Sequence, residues 1–156
     1  MNNFIKTLFV VCLCFMVVAG VSGCSGVGNI KIDIPPTFDD PEGNIHFADV
    51  TVAKGTLEKD YNTIWSGNYT AGEPCFLITG HIANDSGTLY YLTLHADGLD
   101  TAGQNTSATL DEGPISGVAA VEIAPYSSVD FTLHQGWAKE IVKFVLHTQK
   151  STIPPP

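Results

Sequence analysis

The sequence predicts an all-β protein, an antiparallel β-sandwich of about seven strands. Three observations predict it. Between residues 45 and 148, apolar residues recur with period two, in short runs. Clusters of Gly, Asn, Asp and Pro separate those runs. No run in that span favours a helix over a strand, and short strands closed by frequent turns favour a sandwich.

Ile45 to Val52 is the first predicted strand, with a bulge expected near Ala48, where the alternation breaks. Cys75 to Ala83 is the second, placing Phe76, Ile78 and Ile82 on one face. Asn84-Asp85-Ser86-Gly87 signals a turn, and Leu89 to Ala96 follows as the third strand, ended by Asp97-Gly98. Pairing these two strands across the turn puts His81 beside Tyr90 and separates His81 from His95 by roughly 17 Å. Thr106 to Leu110 and Val118 to Ile123 are weaker strands around Asp111-Glu112-Gly113-Pro114. Val129, Phe131 and Leu133 alternate with Asp130, Thr132 and His134. Glu140 to Thr148 closes the set, with Val142, Phe144 and Leu146 inward; its β-branched residues and alternation favour a strand over a helix.

Lys54 to Glu73 joins the first two strands with twenty residues, far more than a hairpin needs. It carries Tyr61, Ile64, Trp65 and Tyr69. Two expectations stand. The loop folds back to cap the sandwich or to add a short strand, or Tyr61, Trp65 and Tyr69 anchor a partner, since Trp and Tyr are interface residues.

Ahead of the sandwich, Lys6 supplies a positive charge and Thr7 to Val21 an uncharged apolar run. Val21-Ser22-Gly23-Cys24 follows. This stretch resembles a prokaryotic lipoprotein signal, whose small residues let a peptidase cut before the Cys. The resemblance implies a signal peptide over 1–23 and fatty acylation of Cys24, for instance by palmitate. It places the protein at the cell membrane, lipid-anchored and facing outside the cytoplasm. Residues 24–44, with Pro35, Pro36, Pro41, Gly26, Gly28 and Gly43, are expected to be the lipidated Cys and a flexible tether. The twenty residues after Cys24 reach roughly 65–70 Å when fully extended. Residues 149–156, ending Pro154-Pro155-Pro156, are expected to form a disordered tail behind a domain over 45–148.

Loss of residues 1–23 leaves six Lys against 16 Asp and Glu, with no Arg anywhere in the chain. A nucleic-acid partner requires a basic stripe, and none exists. Nor is there a polybasic segment to hold anionic headgroups, so membrane binding falls to the lipid. Of four Cys, Cys12 and Cys14 depart with the signal, and an acylated Cys24 leaves Cys75 without a disulfide partner. Within Cys75-Phe76-Leu77-Ile78 that thiol reads as a core hydrophobe.

Residues 45–148 also resemble the FxLYD-type domain of prokaryotic envelope lipoproteins. Gly80-His81-Ile82-Ala83-Asn84 matches its G-x-V-x-N strand. Leu92-Thr93-Leu94 with Asp97-Gly98 matches the following strand and acidic turn. Ile123-Ala124-Pro125 before Val129-Asp130-Phe131 matches its L-x-P-G-x turn, with Tyr126 where Gly is usual. The resemblance implies an immunoglobulin-like sandwich and extracytoplasmic exposure. It brings no catalytic residues.

No enzyme signature appears: there is no G-x-S-x-G, H-E-x-x-H or phosphate loop, so no catalytic residue is assigned. His46, His81, His95, His134 and His147 are expected on outward faces, apart from one another, and no metal or other cofactor is assigned. A blue-copper site fails because Cys75 lies mid-chain and no Met follows Met16. Asp97 and Asp100 lack an EF-hand spacing for calcium. Asn68, Asn84 and Asn105 head Asn-x-Ser/Thr sequons in expected loops or turns, where a glycan is tolerated. These observations predict a non-catalytic binding or structural module of the cell envelope. Its partners are the lipid membrane and an envelope protein or glycan. The alternative is a small exported enzyme or metal-binding protein whose site forms only in three dimensions.

Overall fold

The computed structural model describes residues 30–63, 67–111 and 118–155. Within them run β1 (Lys31–Asp33), β2 (Ile45–Thr56), β3 (Tyr61–Thr63), β4 (Gly67–Tyr69) and β5 (Pro74–Asn84). β6 (Tyr90–Leu99), β7 (Asn105–Ser107), β8 (Ala119–Ile123), β9 (Ser127–Gly136) and β10 (Lys143–Ser151) follow. β2, β5 and β9 form one sheet. The other runs β1-β10-β6, with β7 and β8 along the remaining edge of β6. The fold is the expected all-β sandwich. Between the two sheets the chain crosses from β1 to β2, from β5 to β6, from β8 to β9 and from β9 to β10.

Period-two alternation builds the core. Phe76, Ile78 and Ile82 of β5 and Phe131 and Leu133 of β9 meet Leu92, Leu94 and Ala96 of β6 and Phe144 and Leu146 of β10. The bulge in β2 falls where the sequence predicts it, as a register shift between Ala48 and Thr51, with Asp49 at φ 53°. The extra residue lets Ile45 and Phe47 before it, and Val50 and Val52 after it, pack on one core.

Four expectations are corrected. The second and third predicted strands, β5 and β6, lie in different sheets and do not form a hairpin. Asn84 directs that crossing. Its Nδ2 donates to the carbonyls of Thr88 (2.8 Å) and Ala124 (3.0 Å), and its Oδ1 accepts from the Ser86 amide and hydroxyl. Asp97-Gly98 does not end its strand, because β6 continues to Leu99. Gly98 is there for close approach: an added Cβ would lie 2.9 Å from both Ile141 Cδ1 and Ser107 Cβ. Gly98→Ala is therefore expected to cost about 1–3 kcal/mol by overpacking, measured by denaturant titration. Val142 is 41% exposed, since β10 begins only at Lys143; Ile141 is buried instead.

The fourth correction concerns both ends of the domain. Residues 30–44 are not a free tether. β1 pairs in parallel with β10, Lys31 opposite Lys143 and Asp33 opposite Val145. Phe38 continues the alignment, its amide donating to Thr148 and its carbonyl accepting from Lys150. Asp40 then locks the segment. Its carboxylate, 1% exposed, meets Lys150 Nζ at 2.5 Å and accepts the Ile45 amide at 2.8 Å. Lys150 Nζ also stands 4.5 Å above the Tyr90 ring. At the other end, β10 runs through Gln149, Lys150 and Ser151, the first residues of the expected tail. Strands also occupy the long loop between the first two predicted strands: β2 extends to Thr56, and β3 pairs antiparallel with β4.

Candidate functional site

The outer face of the larger sheet gathers the chemistry. Along β6, Tyr91, Thr93, His95 and Asp97 alternate with core residues and are half-buried. Register supplies their neighbours. Tyr91 lies between Glu122 of β8 and Ser151 of β10, and Thr93 between Ala120 and Gln149. His95 lies directly opposite His147. Beyond Ser151 the chain turns back, with the Ser151 hydroxyl accepting the Ile153 amide at 3.0 Å. Ile153, Pro154 and Pro155 thereby join Tyr91, Thr93, Gln149 and Ser151 in lining an open cleft of ≈ 290 Å³.

His95 and His147 were expected apart. Their rings stack at 4.8 Å between centroids, 17° from parallel. His147 Nε2 is 3.2 Å from Asp97 Oδ2, and Asp97 Oδ1 accepts Asn105 Nδ2 at 2.7 Å. Burial, with the adjacent His147, pushes the His95 pKa down against the pull of Asp97. Below about pH 6.5 the unfolded chain therefore takes up a proton that folded His95 resists, and stability falls as pH drops. His95→Gln should flatten that fall between about pH 7 and 5.5 in thermal melts. An unchanged slope would assign the dependence elsewhere.

The other histidines each face an aspartate: His46–Asp85 at 3.1 Å, His81–Asp130 at 2.5 Å and His134–Asp111 at 2.8 Å. Asp111 also accepts the His134 amide, which pins the 108–111 segment to β9. Among the described residues, no group of three His, Cys, Asp or Glu side chains is arranged to hold a metal ion. Asp97 is engaged with His147 and Asn105, and Asp100 accepts the amides of Ala102 and Gln104.

The remaining site candidates separate. Tyr61 is buried in a second cluster with Leu57, Cys75 and Leu110, against which Tyr69 packs. Tyr61 is buried and Tyr69 partly buried in this cluster, so neither stands out as an exposed anchor. Cys75 is fully buried, and its thiol pKa is pushed up by burial and by Asp111, the state of a core residue rather than a nucleophile. Asn84 is 1% exposed with both ends of its amide engaged, so it is not a glycan acceptor. Asn68 and Asn105 are exposed but sit in β4 and β7 rather than in loops. Val21, Ser22, Gly23, Cys24 and Trp65 lie outside the described residues.

Sequence reasoning missed the stacked histidines and the cleft. The alternation that placed Thr93 and His95 on a polar face was visible. Which strand lay alongside was not.

Comparison with known protein families finds no match, and comparison with curated proteins finds none. Among solved structures, Campylobacter jejuni cj0090 is similar, with 11% identity, 78% of this chain and 99% of that chain covered, and a TM-score of 0.39. That likeness carries no residue or role to this chain.

Proposed function

We propose that the protein is a lipid-anchored module of the cell envelope, exposed outside the cytoplasm, that binds a partner without catalysing a reaction on it. The observation that carries the binding role is the outer face of the larger sheet, where half-buried polar side chains lead into an open cleft. The pattern Val21-Ser22-Gly23-Cys24 supports the anchor. Tyr126 supports the FxLYD resemblance: it stands where that pattern has Gly and holds φ 50°, a backbone that Gly adopts readily.

Fastening of residues 30–44 alters the geometry of the anchor. From an acylated Cys24 to Ile30 is six residue steps, a span of about 20 Å at most rather than 65–70 Å. The sandwich then works close to the bilayer surface. Cys24→Ser tests the anchor. The variant should escape lipid attachment and processing, which membrane fractionation and intact mass would both report. A variant that is cut and fractionates like the native protein would end the lipoprotein reading.

A further inference from the structure

Deepening the binding role proposed above, we infer that the cleft and the adjoining row on β6 bind a neutral saccharide chain. Four features of the surface favour that class. The lining includes an aromatic residue, Tyr91, and the apolar rings of Pro154 and Pro155. Sugar rings present C–H faces that lie against such surfaces. Around them stand an amide and hydroxyls, from Gln149, Thr93 and Ser151. Those groups both donate and accept, as sugar hydroxyls require.

The row then continues along β6. Same-face neighbours on a strand are two residues apart, so Tyr91 to Asp97 spans about 20 Å. Several linked sugar units fit along that length. His95, His147, Asp97 and Asn105 extend the hydrogen-bonding groups to its far end. The cleft itself has room for a small ring rather than a folded segment.

Charge and composition decide against the competitors. Asp97 and Glu122 lie on or beside the row, and the whole chain carries a formal charge of −9, so an anionic polymer is repelled. A protein interface centres on a desolvated cluster of large apolar and Arg side chains. Here Tyr91 is flanked by Glu122 and Ser151, and Thr93 by Ala120 and Gln149.

The test uses the full chain in phosphocholine micelles, which carry no sugar headgroup. Chitohexaose, cellohexaose and maltohexaose are each titrated to ~10 mM, with backbone amides followed by NMR. At least one should shift the amides of Tyr91, Thr93, Gln149 and Ser151, with a Kd of about 0.1–1 mM. Tyr91→Ala should weaken that binding by about tenfold or more, and Gln149→Ala by roughly threefold or more. Gln149 is exposed, so its variant keeps the test informative if Tyr91→Ala folds poorly. The inference is overturned if none of the three probes moves those amides, if shifts centre elsewhere, or if Gln149→Ala binds as well as the native chain. A proline-rich peptide moving the same amides while the saccharides do not would overturn it in favour of a protein ligand. These outcomes are independent of Cys24→Ser, which reads anchoring alone.

Discussion

Asp40→Ala should lower the stability of the protein by about 3–5 kcal/mol at neutral pH, the cost of breaking a buried ion pair from one side. Truncation leaves Lys150 Nζ, 10% exposed, without its carboxylate, and leaves the Ile45 amide without its acceptor. Burial raises the pKa of Asp40. The Lys150 hydrogen bond and the Ile45 and Asn44 amides outweigh it and hold the carboxyl below its ordinary range. Burial likewise lowers the Lys150 pKa, and the partnership with Asp40 and Tyr90 outweighs it and holds the ammonium above its usual range. The sign follows for each group. The Asp40 contribution is present above about pH 4 and is lost as pH falls through its depressed pKa. The Lys150 contribution is present below about pH 10 and is lost as pH rises through its raised pKa. A urea titration of Asp40→Ala should give the full loss at about pH 7. The difference from the native protein should shrink at about pH 3. Asp40→Ala, Lys150→Met together should recover part of the loss, since no buried charge is then unpaired. A single variant within about 1 kcal/mol of the native protein would show that the clamp is solvated.

Phe144→Ala should cost about 3–5 kcal/mol, as expected of a large cavity in the core. Phe144 is fully buried and meets Phe76 edge-on, with ring centroids 5.4 Å apart. Phe76 in turn stacks on Trp137 at 4.5 Å, so the cavity opens beside an aromatic chain that spans both sheets. Val142→Ala, two residues away and 41% exposed, should cost less than about 1 kcal/mol. Similar losses in one denaturant series would contradict the start of β10 at Lys143.

The fold was largely legible because alternation is a local property. Ile78 and Ile82, or Phe131 and Leu133, declare their face from spacing alone, and the bulge near Ala48 shows as a break in that spacing. Partnership between strands is not local. Asn84 looks like a turn residue or a sequon. Its role in carrying the chain from one sheet to the other depends on Ala124, forty residues away. β1 has three residues and pairs with a strand more than a hundred residues on, and Pro35, Pro36 and Pro41 argue for a tether. The candidate site was hidden for the same reason. His95 and His147 become neighbours only once β6 and β10 are known to be adjacent in one register. Tyr61 was legible as a large apolar group in a long loop, but the cluster it covers required Leu110 to arrive from the far side.

If the proposed anchor at Cys24 holds, the parallel docking of β1 on β10 has a mechanical consequence. A ligand pulling on the outer sheet face of such an anchored domain would load the chain first at Lys31–Asp33. A pull along that strand strains its hydrogen bonds together rather than one after another. Should they yield, residues 30 to 40 unspool and lengthen the leash by about 35 Å before the force reaches the Asp40–Lys150 lock. The same event strips β10 of its neighbour and leaves a bare strand edge, a ready template for another chain. Under the proposed anchoring, tension on the chain would thus alter both the reach of the sandwich and the company its last strand can keep.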